Sequence, residues 1–225
     1  MHYQFNPETS GWSKTDSEGN PGLSVFEHCR HVGWVALELI NQGKTIAHTE
    51  IKPLVSAIVA AIHDVGKWSP GFLHMCPVWL ELSGLTLVAE RQAWEAQKGN
   101  RHEKHSQDSI QLLLQNRGFK QSEASAWAMV AGAHHGKMHS PENYGRGDPS
   151  RLINAWHSQR HQIIEAIESE FDSTIPIIGI KKTDAAIPWL MGLTSVADWI
   201  GSDEIHFPVN KGLGEKEGKE SAKLA

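Results

Sequence analysis

Ala60-Ala61-Ile62-His63-Asp64-Val65-Gly66-Lys67 sets a histidine and an aspartate side by side at the end of an apolar run. Ile58, Val59 and Ile62 predict a helix that buries hydrocarbon, and that helix carries both polar side chains inward with it. A buried carboxylate is costly unless a cation or a metal pairs with it, and an imidazole beside it is a ready second ligand for a borderline ion. Lys67 stands one turn on as a counter-charge, so a plain Asp64–Lys67 pair is the competing explanation of this motif taken alone. The chain, however, has 14 histidines among its 225 residues, and histidine is the commonest side-chain ligand of transition metals.

Helical periodicity places several of those histidines on inward faces. Ser24 with Glu27 has the form of a capping box, and Val25, Val32, Val35, Leu39 and Ile40 recur at helical spacing up to Asn41-Gln42-Gly43. His28 lies on the line of Val32, Val35 and Leu39, with His31 one step round as the alternative. A second helix spans about Glu50 to Val65 and stops at Gly66, with Pro53 in the first turn where a missing amide proton does no harm. A short piece with Phe72 and Leu73 follows, and the stretch from Val78 to Val88 stays unassigned. A helix over about His102 to Gln115 puts His102 in line with Ser106, Ile110 and Leu113; His105 is the alternative there. The next, about Gln121 to His135, finishes in His134-His135-Gly136. Adjacent helical residues point roughly 100° apart, so these two rings serve one site only where the last turn unwinds, which Gly136 permits. His157 and His161 are spaced i, i+4 on a helix over about Pro149 to Phe171 and read as a solvated face rather than a metal pair. In the last strong helix, about Asp184 to Ile200, Asp198 aligns with Met191 and Thr194 and points another carboxylate inward.

Alternating strands and internal repeats are lacking, which predicts an all-α bundle. A length of 225 residues at 40% hydrophobic suits a single core, expected over residues 1–207 with an irregular leader at 1–23. Residues 208–225 are rich in Gly, Lys and Glu and read as a polar tail or linker that cannot fold. A formal charge of −5 argues against a protein that coats nucleic acid by bulk attraction, while leaving room for a local basic groove. Apolar runs such as Leu54 to Ile62 fall short of the roughly 20 residues that span a bilayer. The start lacks a secretory pattern, and Cys29 and Cys76 have no framework spacing. The expected setting is the cytoplasm, with no membrane partner.

His28, His63 with Asp64, His102, His134 with His135, and Asp198 thus come inward from separate helices, and such a set would be very costly in one core unless it converged on ions. The order His, His-Asp, His, His-His, Asp resembles the HD-domain metal-dependent phosphohydrolase superfamily. The local wording is narrower. His63-Asp64-Val65-Gly66-Lys67 with Phe72, Arg101-His102-Glu103 with Ser106, His134-His135-Gly136, and Ser195-Val196-Ala197-Asp198-Trp199-Ile200-Gly201-Ser202-Asp203 are similar to the HD nuclease domain of the CRISPR-associated helicase-nuclease of type I interference systems. The similarity runs from about Ser24 to Asp203.

What the resemblance implies is an HD-domain helical bundle with a metal centre in its core, cutting single-stranded DNA endo- or exonucleolytically during interference. It puts His28, His63, Asp64 and Asp198 around one ion and His102, His134 and His135 around a second, with Asp64 bridging. Between the paired alternatives, it and the helical faces both choose His28 and His102. An imidazole-rich shell favours two divalent transition metal ions, from manganese, iron, cobalt, nickel or zinc, over magnesium. Asp64 and Lys67 would be the catalytic pair, Lys67 as a phosphate contact, with a salt bridge to a carboxylate as its other reading. Lys137, Arg146 and Arg151 are candidates to hold the DNA backbone and Tyr144 to stack a base, unless that loop is simply solvated. No Gly-x-x-x-x-Gly-Lys-Ser/Thr stretch is present, so the partners implied are single-stranded DNA, a helicase domain or subunit in cis or trans, and the CRISPR surveillance complex. Two other readings stay open: a phosphohydrolase of a nucleotide or cyclic dinucleotide, which would need a pocket that reads base or sugar, and a non-catalytic metal-binding module, which would need a broken ligand set.

Overall fold

The computed structural model describes residues 3–45, 51–85, 101–138 and 150–225, with side chains from 154 onward in the last of these. Ser24 begins α1 (Val25–Asn41) with a complete capping box, its hydroxyl accepting from Glu27 N and the Glu27 carboxylate accepting from Ser24 N. α2 (Pro53–Ala61) is buried from Val55 to Ala61 on every side, as a helix without a polar face must be. It forms the centre of the bundle. The chain continues through a 3₁₀ turn (Ile62–Lys67), α3 (Pro70–Leu73), α4 (Pro77–Ser83), α5 (His102–Asn116), α6 (Gln121–Gly132), α7 (Ser150–Glu170), α8 (Ala186–Gly201) and α9 (Glu215–Leu224). α2 packs against α1, α6, α7 and α8, and α5 lies across the 3₁₀ turn and α6. Among the described residues there is no strand, only one antiparallel bridge, Thr15 to Pro21. The bundle is all-α, as expected.

Three local expectations are corrected. The second helix ends at Ala61 rather than Val65, and the metal-capable pair sits in the tighter 3₁₀ winding. Gly66 lies directly against α5: a Cβ there would stand 1.9 Å from the His102 carbonyl oxygen, and Gly66 N donates to Ser106 Oγ at 2.8 Å. Secondly, His157 and His161 face inward. His157 is buried, its Nδ1 accepts from Ser109 Oγ at 2.7 Å, and His161 Nε2 donates to the Ser109 carbonyl at 2.9 Å.

The third correction concerns residues 208–225, which do fold. α9 lies on α1 with Leu213 and Ala222 buried, and a Cβ on Gly218 would meet the Trp34 ring at 1.8 Å. Arg30 of α1 donates to the Leu213 carbonyl. Composition misled here because docking uses one leucine, one alanine and a bare glycine backbone instead of an apolar stripe. Glu215–Lys219 and Glu220–Lys223 pairs add side-chain support along the helix.

The leader is irregular but packed. Trp12 stacks on Phe72 with ring centroids 4.4 Å apart and donates from Nε1 to the Leu73 carbonyl at 3.4 Å. Gly11, at φ 80°, fits beneath Trp68, where a Cβ would come within 2.9 Å of the indole. Among the described residues, no helix is long and apolar enough to cross a membrane.

Candidate metal centre

The side chains singled out by their inward positions converge. His28 comes from α1, His63, Asp64 and Lys67 from the 3₁₀ turn, His102 from the first residue of α5, His134 and His135 from the turn after α6, and Asp198 from α8. α6 stops at Gly132 and Gly136 adopts φ 78°. The unwinding that lets two adjacent rings share a site is therefore present. His134 and His135 stand with ring centroids 4.0 Å apart.

Asp64 divides the ensemble. Its Oδ2 lies 3.1 Å from His28 Nε2 and 3.3 Å from His63 Nε2, while Oδ1 lies 3.2 Å from His102 Nε2 and 3.4 Å from His134 Nε2. Asp198 Oδ1 closes the first side at 3.3 Å from His28 Nε2 and 3.4 Å from His63 Nε2. His135 Nε2 closes the second at 3.1 Å from His102 Nε2. The donor atoms thus form two groups, His28, His63, Asp64 and Asp198 in one and His102, His134 and His135 in the other, each with its atoms within 4.8 Å of one another. Backbone carbonyls fix the ring orientation: His63 Nδ1 donates to Ala60 O at 2.8 Å and His134 Nδ1 to Ala131 O at 2.5 Å. Both rings then turn Nε2 toward the centre, the tautomer control that metal-binding histidines require.

The two carboxylates draw positive charge to the centre. Burial alone would raise the Asp64 carboxyl, yet His63, Lys67 and His102 hold it well below the usual carboxylate range. Asp198 behaves likewise: burial raises it, and His63 and His28 outweigh that and keep it low. Burial pushes the His63 imidazolium down, but Asp64 and Asp198 carry it up to about 10. Lys67 Nζ stands 2.6 Å from Asp64 Oδ2, and the raised His63 adds a proton beside the two carboxylates. His63 Nε2, Asp64 Oδ1 and His134 Nε2 are nonetheless buried without a hydrogen bond. Orphaned ligand atoms aimed at one another around two carboxylates are what divalent cations would satisfy.

A family model described as Cas3, HD domain, matches residues 12–207. The chain belongs to the Cas3 HD domain family. It is 27% identical over 172 residues to the CRISPR-associated endonuclease/helicase Cas3 of Thermus thermophilus, covering 69% of this chain and 17% of that protein. It is 27% identical over 192 residues to the CRISPR-associated nuclease/helicase Cas3 of Streptococcus thermophilus, covering 75% and 19%. The chain therefore spans less than a fifth of the length of these curated relatives. Among solved structures, the Thermus thermophilus cas3 HD domain in the presence of Ni2+ superposes with a TM-score of 0.66 at 21% identity, over 97% of this chain and 86% of that one. The T. fusca Cas3-AMPPNP structure gives 0.68 at 18% identity, over 96% and 25%. At these identities the structures speak for the fold of the Cas3 HD domain alone.

Not every candidate joins the centre. His31 turns away to stack near Trp34 and Phe207, so the choice between His28 and His31 falls to His28. Lys137 is exposed just after the His134-His135 turn. Tyr144 and Arg146 lie outside the described residues, and Arg151 belongs to α7 without a described side chain. One residue that reaches toward the centre escaped the sequence reading: Lys14, whose Nζ donates to the carbonyl of Ser202 at 3.3 Å, the residue whose hydroxyl meets Asp198. It stands in the leader, where neither periodicity nor motif spacing marks it.

Proposed function

We propose that this chain is a metal-dependent nuclease that hydrolyses phosphodiesters of single-stranded DNA in CRISPR interference. The observation that carries this reading is the position of Asp64, with one oxygen toward each of two ligand groups inside a Cas3 HD domain. His28, His63, Asp64 and Asp198 would hold one divalent transition metal ion, and His102, His134, His135 and the second Asp64 oxygen the other. When bound, a pair of such cations supplies Lewis acidity toward phosphate and water. The chain's own part is to orient and to exclude. His28, His63 and His134 have fully buried side chains, whereas those of His102 and Asp198 are 11% and 17% exposed. His135 is exposed as well, so the backbone of a strand reaches the centre along the edge formed by these three. Lys67 Nζ is held against Asp64 and over the Phe72 ring, 5.5 Å from its centroid, where it can neutralise a phosphate oxygen.

A helicase in cis or trans and the surveillance complex complete the proposal. It draws support from the relatives' names, which join nuclease and helicase, and from a structural neighbour titled CRISPR RNA-guided surveillance complex, pre-nicking, at a TM-score of 0.65 and 18% identity. The deciding experiment is cleavage of circular single-stranded DNA by chelator-stripped protein, with manganese, cobalt, nickel or magnesium restored, beside Asp64→Ala. Cutting that needs added transition metal and is lost at least a thousandfold in the variant is expected, since both groups share Asp64 (about 4 kcal/mol in the barrier). Metal uptake without cutting of single-stranded DNA would sink the proposal.

A further inference from the structure

The leader is fastened beside the metal centre by contacts that have no regular secondary structure to serve. Ser13 N donates to Leu23 O at 2.9 Å and Gly22 N to Lys14 O at 2.8 Å, which folds residues 13–22 back on themselves just before α1. Trp12 is locked on Phe72, the ring that also underlies Lys67 and stands 5.6 Å from the His102 ring. From this anchored position the Lys14 side chain reaches the end of α8, where it donates to Ser202 O. Ser202 Oγ in turn donates to Asp198 Oδ1 at 3.2 Å. Lys67, Asp198, Asp64 and Glu204 are among the charged groups in electrostatic reach of its ammonium. Lys14 is half-buried and reaches the Asp198 side of the centre through Ser202, whose carbonyl it holds and whose hydroxyl donates to Asp198.

We infer that Lys14 is a substrate-binding residue, a second lysine that grips a backbone phosphate of the bound strand beside the Asp198 side of the metal centre. The inference rests on the nuclease reading and adds a residue to it. Charge makes the case. Two divalent ions would more than neutralise Asp64 and Asp198, and Lys67 already adds a further positive charge. A fourth cation tethered there is unfavourable in the loaded protein by itself and becomes favourable when an anion arrives. A lysine could instead serve only to cap the C-terminal carbonyls of α8; that role would predict lost stability without any effect specific to nucleic acid.

The test compares wild type, Lys14→Met and Lys14→Arg on a single-stranded oligonucleotide of about 20 thymidines, measuring kcat and KM across a salt series, manganese stoichiometry and thermal midpoint. The expected result for Lys14→Met is a roughly tenfold loss in kcat/KM carried by KM, equivalent to one charge-assisted contact. The dependence of log KM on log salt should become shallower by about 0.7, the contribution of one phosphate on a single strand, with metal stoichiometry unchanged. Lys14→Arg should restore most of the loss. A normal KM and salt slope in Lys14→Met would overturn the inference. So would a fall in thermal midpoint in Lys14→Met with no effect specific to nucleic acid, which is the signature of a helix cap. A wild type that takes up manganese but neither binds nor cuts the oligonucleotide would overturn the nuclease reading itself, and this inference with it.

Discussion

Asp64 and His157 show opposite ways of keeping an ionisable group inside. Asp64 is held ionised by cations on every side, while His157 is held neutral: burial, then Arg160 and His161, push it down to about 2. An unfolded histidine titrates near 6.5, so below that pH the unfolded chain binds a proton that the fold refuses. The stabilisation is complete above pH 6.5 and is lost as pH falls toward the folded value. For chelator-treated protein, urea unfolding at pH 7 and pH 5 should therefore show a loss, of which His157→Gln removes up to about 2 kcal/mol. An unchanged difference between the two pH values in the variant would refute this. At this scale the sequence was informative where chemistry is dense. His63-Asp64 and His134-His135 announce themselves as pairs, and inward facing picked His28 and Asp198. Lys14 and His157 were missed or misplaced because their partners, Ser202 and Ser109, are distant in sequence and carry no motif.

Among the elements, the 3₁₀ turn is the one on which most depends, because it is wedged between α5 and α7. On one side the Gly66 backbone lies against the first turn of α5. On the other, Arg160 of α7 is fully buried and donates from Nη1 to Trp68 O at 2.9 Å and from Nε to Ser109 Oγ at 2.6 Å. Gln159 accepts from Trp68 Nε1 at 2.9 Å. A methyl group at residue 66 would meet backbone atoms that cannot swing aside. Gly66→Ala should therefore cost at least about 3 kcal/mol and displace His102, weakening metal uptake measured by titration calorimetry. Gly192→Ala is the contrast: that glycine lies in α8 with open space around it, and substitution there should gain up to about 1 kcal/mol. Equal losses from the two would refute the packing argument. Most of the longer helices were legible from apolar spacing, whereas α4 and α9 were not. The departure of the turn from α-helical winding was not, because it follows from Gly66 meeting residues 102 and 106, a contact absent from any local window.

Both ends of the described chain meet α1, the helix that carries His28. The leader packs beneath its start, and residues 207–224 cover its far side through Phe207, Leu213 and Gly218. Ending the chain at Asn210 should expose Trp34 and delete Leu213, a loss of about 3 kcal/mol in a denaturant titration. An unchanged midpoint would mean that α9 rides on the bundle without supporting it. The all-α class was readable from periodicity, whereas the docking of α9 was not, since a glycine against a tryptophan leaves no hydrophobic pattern. The ligand set also has an order in time. Its residues leave the ribosome from His28 to Asp198, and the first group draws on both of those extremes. A nascent chain holding the second group's three histidines still lacks the carboxylate of α8, so the complete centre cannot exist before most of this domain has been synthesised and docked. For the nuclease proposed above, that order would keep unfinished copies harmless.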